Sequence, residues 1–100
     1  MAWTVVINTD VETWANQRDV GQQLRRIREK VEKYGPIRGD GLEPFIGERI
    51  YDIRVSVAGN FRIVCTAEKA RRTLTLAAVY KHGRAGGKQF MVGVKVPDYT

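Results

Sequence analysis

The spacing of apolar residues changes once along this chain, and that change constrains the fold more than any other feature. Between positions 19 and 34, apolar residues recur at alternating spacings of four and three: Val20, Leu24, Ile27, Val31 and Tyr34. Such a stripe predicts an amphipathic helix. From position 50 onward, apolar and polar residues alternate, which is typical of strands with one buried face. The sequence therefore predicts helices first and an antiparallel sheet afterwards.

The first third of the chain predicts one strand and two helices. Residues 3–7, WTVVI, are aromatic and β-branched and favour a strand. Thr9 or Asp10 would then cap a short helix over about 10–17. The longer helix, over about 19–34, should end at the glycine and proline that follow it.

The rest of the chain predicts a loop and an antiparallel meander. Residues 35–48 are rich in glycine and proline and favour a loop that Phe45 and Ile46 hold against the core. Strands are predicted over about 50–57, 60–67 and 72–81, with a further strand-like segment over 89–96. We therefore expect residues 1–100 to form a single α+β domain. Two helices should cover one sheet face and leave the other in water.

Composition and charge limit the function classes. The chain has 17 Lys and Arg against 11 Asp and Glu, a net charge of +6, which favours an anionic partner such as RNA, DNA or an acidic protein segment. With one cysteine and one histidine, neither a disulfide scaffold nor a zinc site is expected, and we expect no cofactor. The sequence lacks a membrane-spanning apolar run and a signal peptide, so a cytoplasmic protein without a membrane partner is expected.

The predicted hairpin carries one arginine in each arm. A two-residue turn would mix apolar and polar residues on each face, whereas a three-residue loop over 57–59 pairs Ile53 with Ile63 and keeps the faces consistent. Arg54 then stands directly opposite Arg62, on the face away from the helices. Like charges in this arrangement repel each other. The pair is therefore either an anion site or two ordinary surface arginines near Asp52 and other acids.

The next strand extends this pattern towards the C-terminus. Alternation places four residues on the helix-facing side: Leu74, Leu76, Ala78 and Tyr80. The same alternation places Lys81 on the face of the two arginines, with His82 at the end of the strand. Arg84 and Lys88 follow in a glycine-rich stretch. The sequence thus predicts a cationic cluster on one sheet face, with a histidine at its edge.

Four stretches of the chain carry a resemblance to a known family. VVINTDVETW, KVEKYGPIRG, IYDIRV with NFRIV, and LAAVYKHGRAGGKQ together cover roughly residues 3–89. In this order they resemble the RelE/ParE superfamily of bacterial toxins, and most of all its HigB or phage Gp49-like branch. The resemblance implies a RelE-like βααβββ fold, to which the alternation of residues 89–96 would add a C-terminal strand. It also implies a cytoplasmic type II toxin–antitoxin toxin that cleaves mRNA on the ribosome and is inhibited by a cognate, helix-turn-helix HigA-like antitoxin.

The resemblance also implies roles for individual residues. It assigns catalysis to Arg54, Arg62, Lys81 and His82. The two arginines suit phosphate oxygens, whereas Lys81 and His82 are candidates for proton transfer. Contacts to RNA are expected from Arg84, Lys88, and Arg26 on the basic face of the longer helix.

Two departures from the family leave other functions open. RelE has a catalytic tyrosine near the place of Phe90, and many relatives end in a helix where FMVGVKVPDYT alternates like a strand. One alternative is a ParE-like toxin that inhibits DNA gyrase without cleaving RNA. Another is a non-catalytic relative that binds RNA or protein.

Overall fold

Two helices and six strands follow one another in an α+β order. The computed structural model describes residues 2–46, 49–55, 61–82 and 88–93, without the side chains of residues 45, 46, 81, 82 and 88–93. The elements are β1 (Thr4–Ile7), α1 (Thr9–Gln17), α2 (Gly21–Tyr34), β2 (Leu42–Ile46), β3 (Ile50–Arg54), β4 (Phe61–Glu68), β5 (Thr73–His82) and β6 (Lys88–Gly93). The predicted fold class is confirmed.

The six strands form one sheet, in which five follow the order β1-β5-β4-β3-β2 and the sixth, β6, pairs with β5. β1 runs parallel to the first half of β5, and β2, β3, β4 and β5 pair antiparallel in succession. β6 pairs antiparallel with the second half of β5, beyond β1 on the same edge. The strand expected near the C-terminus is therefore present. Within the described ranges, no helix is long and apolar enough to cross a bilayer.

The main core lies between the helices and one sheet face. Val20, Leu24, Ile27 and Val31 of the predicted stripe are buried against sheet residues that include Ile53, Ile63, Leu74 and Leu76. Each buried side chain of this size contributes about 1.5–3 kcal/mol. Tyr34, which the stripe also included, is 62% exposed, so that part of the prediction is wrong.

The predicted loop over 35–48 contains a strand, β2. Asp40 and Gly41 have φ angles of 52° and 91°, as in a type I′ turn, and Gly39 and Leu42 exchange backbone hydrogen bonds of 3.1 and 2.9 Å. The turn leads the chain back beside β3. Pro44 is tolerated in β2 because this strand lies at the edge of the sheet.

The second sheet face is not left in water as expected. Ile50, Val64, Ala78 and Tyr80 form a smaller buried cluster, separate from the main core. Asp52 is buried as well. The described sheet thus has a buried region on each face.

The conformation of Gly41 gives a test of the turn. A Cβ atom at this position would lie 2.5 Å from Arg54 O and 2.8 Å from Gln23 Nε2. Because φ is also positive, Gly41→Ala should lower the free energy of unfolding by about 1–3 kcal/mol. Denaturant unfolding measures the change.

Gly21→Ala is the matched control for this substitution. A Cβ atom at Gly21 meets only Asn16 Oδ1, at 3.5 Å, among the described residues, so its stability should change by less than about 0.5 kcal/mol. Equal stability of the two variants would contradict the account of the turn.

Candidate functional site

The two arginines of the hairpin stand opposite each other. The register pairs Arg54 with Arg62 and Ile53 with Ile63, and Val55 N–H donates to Phe61 O at 3.3 Å. The predicted pairing of the two arms is therefore confirmed, although the loop between them lies outside the described residues. Arg54 is exposed, whereas the Arg62 side chain is 25% exposed.

Asp52 lies beside this pair and is the main polar group buried on that face. Its side chain is only 6% exposed. Oδ2 accepts a hydrogen bond of 2.7 Å from the Tyr80 hydroxyl and lies 3.8 Å from Arg62 Nη1. A buried carboxylate requires such partners because it has lost its water. The sequence left open an anion site or two ordinary surface arginines near Asp52. Arg62 is paired with Asp52, as the second interpretation states.

Tyr80 reaches this face because β5 contains a bulge. Val64 pairs with Ala78, but Cys65 pairs with Leu76, so Ala77 is an extra residue in β5. The extra residue reverses the alternation beyond it. Val79 consequently belongs to the main core, and Tyr80 is paired with Arg62. The prediction that Ala78 and Tyr80 face the helices is wrong for this reason.

Asn8 contacts the bulge directly. Its Nδ2 donates to Ala77 O at 3.2 Å, and its backbone N–H donates to Leu76 O at 3.1 Å. Asn8 also occupies the N-cap position of α1, where its side chain makes no capping hydrogen bond. The expectation that Thr9 or Asp10 caps this helix is therefore wrong. Asn8 stabilises the bulge instead.

The bulge also changes the position of Lys81 in the sheet. The register pairs Lys81 with Phe61, which packs against the main core, so the expectation that the Lys81 position shares the face of Arg54 and Arg62 is wrong. His82 pairs with Lys88 through the backbone. The side chains of Lys81, His82 and Lys88, and the whole of Arg84, lie outside the described residues. Their proposed roles stay predictions.

Arg26 is not brought to the arginine pair. It lies on α2, which packs against the opposite sheet face, and its Nε is 3.7 Å from Asp40 Oδ1. Lys30 Nζ is 3.1 Å from the other oxygen of the same carboxylate. These two cations therefore surround the turn that precedes β2.

Gln23 is a buried residue that the sequence interpretation missed. Its Nε2 donates to Asp40 O at 2.8 Å and to Arg54 O at 2.9 Å, and Arg54 N–H donates to Gly41 O at 2.9 Å. Gln23 thereby connects α2 to the backbone of Arg54. The available signal was its spacing, three residues after Val20, which places a polar side chain on the core-facing stripe.

Two further titratable groups near the site are unsuited to proton transfer at neutral pH. Burial raises the pKa of the Cys65 thiol well above its ordinary value, and the negative charge of Asp52 raises it further. Burial also raises the pKa of Tyr51. Both groups therefore stay protonated at neutral pH. Within the described ranges, no three His, Cys, Asp or Glu side chains are grouped as metal ligands.

Neither protein-family models nor curated proteins give a match to this chain. The RelE/ParE resemblance accordingly stays a prediction, and the class that the structure itself defines is an α+β domain with a cross-strand arginine pair.

The hydrogen bond between Tyr80 and Asp52 can be tested by Tyr80→Phe. This substitution removes the hydroxyl that donates to a buried carboxylate, so the free energy of unfolding should fall by about 1.5–3 kcal/mol. Tyr34→Phe is the matched control, because Tyr34 is exposed and its change should stay within about 0.5 kcal/mol. If Tyr80→Phe unfolds at the same denaturant concentration as the wild type, the bond does not stabilise the fold.

Proposed function

We propose that this chain is the toxin of a type II toxin–antitoxin system, a metal-free endoribonuclease that cleaves mRNA on the ribosome and inhibits translation. The observation that carries the proposal is the placement of Arg54 opposite Arg62 on the sheet face away from the helices. The net charge of +6 and the α+β order of elements agree with it.

The chemistry explains why an arginine pair suits RNA cleavage. The reaction must activate the ribose 2′-hydroxyl, stabilise negative charge on the phosphate, and protonate the leaving 5′-oxygen. Arginine stays protonated and cannot act as a base, but its guanidinium group binds phosphate oxygens in pairs. Arg54 and Arg62 are therefore assigned to charge stabilisation.

The two arginines would contribute in different ways. Arg62 is half-buried and held near Asp52, so its guanidinium group has a restricted position. Arg54 is exposed and forms no ion pair with another described residue. Arg54 is thus the more accessible contact for an incoming phosphate, and Arg62 is the more rigid one.

Proton transfer is assigned to Lys81 and His82, as the family resemblance implies. Tyr80 is a poor candidate because it is 1% exposed and its hydroxyl is bonded to Asp52. Cys65 is excluded by its burial and raised pKa. Histidine has the ordinary pKa closest to neutrality, which favours His82 over Lys81.

The proposal includes the partners and location implied by the resemblance. The substrate is mRNA on the ribosome, the inhibitor is a helix-turn-helix HigA-like antitoxin, and the compartment is the cytoplasm. Arg84 and Lys88 would contact the RNA near the arginine pair. Arg26, on the helical side and paired with Asp40, would contact RNA only on a different surface.

Arg62→Ala tests the catalytic assignment. Purified protein is added to translating ribosomes and the new RNA ends are mapped, while induced expression measures growth inhibition. The variant should lose both activities, because it removes the more rigid phosphate contact. Arg71→Ala is the control, since its side chain is 80% exposed and lies beside Glu68, away from the pair.

Three results would contradict the proposal in different ways. Full RNA cleavage by a folded Arg62→Ala variant would remove Arg62 from the mechanism. Uncut RNA together with inhibited gyrase supercoiling would identify the gyrase-inhibiting alternative. Uncut RNA without gyrase inhibition would leave a non-catalytic binding protein.

Arg54→Thr tests whether the arginine pair binds an anion. The substitution removes like-charge repulsion, so the free variant should be more stable by a few tenths of a kcal/mol up to about 1 kcal/mol. Phosphate should then raise the melting temperature of the wild type more than that of the variant, because a ligand of the folded state stabilises it. The melts are compared at matched ionic strength, and equal shifts would show that the pair is not an anion site.

A further inference from the structure

A pocket lies between α1 and α2, separate from the arginine pair of the sheet. Its volume is about 180 Å³, and its lining includes three apolar residues, two arginines and one acid: Ile7, Ala15, Leu24, Arg25, Arg28 and Glu12. Both helices pack on the sheet face opposite Arg54 and Arg62. The pocket is therefore on the other side of the molecule from the proposed RNA site.

Arg28 has a buried donor without an acceptor. Its Nε is inaccessible to solvent and makes no hydrogen bond within the described structure. A buried donor on a charged group is costly unless it is paired. The protein itself therefore leaves part of the Arg28 guanidinium group without a hydrogen-bond acceptor.

The two arginines of the pocket also lack charged partners. Arg26, Arg62 and Arg71 each have a carboxylate oxygen within 4.0 Å, at 3.7, 3.8 and 3.6 Å. Among the described residues, neither Arg25 nor Arg28 forms such a pair, although Glu12 lines the same pocket. The pocket thus contains two guanidinium groups and one carboxylate, with no described carboxylate oxygen within 4.0 Å of either guanidinium group.

We propose that this pocket binds a glutamate or aspartate side chain of a partner protein. A carboxylate accepts two hydrogen bonds from a guanidinium group, and the apolar residues suit the methylene part of the side chain. The pocket is smaller than the roughly 300–1,000 Å³ of sites for larger ligands, which favours one side chain over a nucleotide. Glu12 disfavours a phosphate dianion more than a singly charged carboxylate.

The position of the pocket has a consequence for function. A partner bound between α1 and α2 would not cover Arg54 or Arg62, because those residues lie on the other sheet face. A ligand in the pocket and an anion at the arginine pair should therefore be able to bind at the same time. The proposal stands without the ribonuclease assignment.

The test uses N-acetyl-glutamic acid α-amide, which presents one side-chain carboxylate, and the corresponding capped glutamine as a neutral control. Proton–nitrogen correlation spectra follow the Gly21 amide and the Arg28 Nε–H signal. Capped glutamate should shift both signals saturably, and capped glutamine should not. Arg28→Gln and Arg25→Gln should each weaken binding by about tenfold or more, since each removes a charge-assisted contact. Arg71→Gln should leave it unchanged.

Further arms separate the competing explanations. Inorganic phosphate that binds the pocket more tightly than capped glutamate would overturn the proposal in favour of a phosphate ligand. Shifts that persist in both pocket variants, or no shift at all, would overturn it as well. Because Arg25 is exposed, its variant gives a result even if Arg28→Gln does not fold. Arg54→Thr should bind capped glutamate like the wild type, which distinguishes this site from the arginine pair.

Discussion

The extra residue in β5, Ala77, determines which side chains occupy each face in the second half of the sheet. Without it, Val79 would leave the main core and Tyr80 would turn towards the helices. Asp52 would then be a buried carboxylate without the hydroxyl that now donates to it. Losing this bond would destabilise the buried Asp52 carboxylate, which lies 3.8 Å from Arg62 Nη1. The geometry of the arginine pair therefore depends on the bulge. Asn8 in turn stabilises the bulge, because its side chain donates a hydrogen bond to the carbonyl of the extra residue.

The magnitudes explain why the fold tolerates two arginines side by side. Like charges directly opposite each other on a sheet cost up to about 1 kcal/mol. A hydrogen bond to a charged group contributes about 1.5–3 kcal/mol, which exceeds that cost. Asp52 accepts such a bond from Tyr80 and lies close enough to Arg62 to offset part of its charge. The remaining repulsion acts mainly on Arg54, which is exposed and screened by water.

The sequence predicted the parts of the fold that depend on local periodicity. The helical stripe and the register of Arg54 against Arg62 followed from spacing, because a wrong register would have mixed the two faces. The bulge could not be predicted in this way, since the residue that stabilises it, Asn8, is 69 positions away along the chain. β2 had a local signal in the Asp40–Gly41 pair, typical of a type I′ turn, but the nearby glycines and prolines favoured a loop. The partners of Asp52 required both the register and the bulge.

One helix connects the two surfaces on which function is proposed. α2 carries Arg25 and Arg28 at the pocket, and on the same helix Gln23 bonds to the carbonyl of Arg54. A ligand in the pocket would influence Arg54 only by moving α2 as a whole. The buried stripe opposes such a movement, because shifting packed side chains creates voids or overlaps. Gln23 opposes it as well, since its bonds of 2.8 and 2.9 Å would break. The two surfaces should therefore act as independent sites on one rigid support.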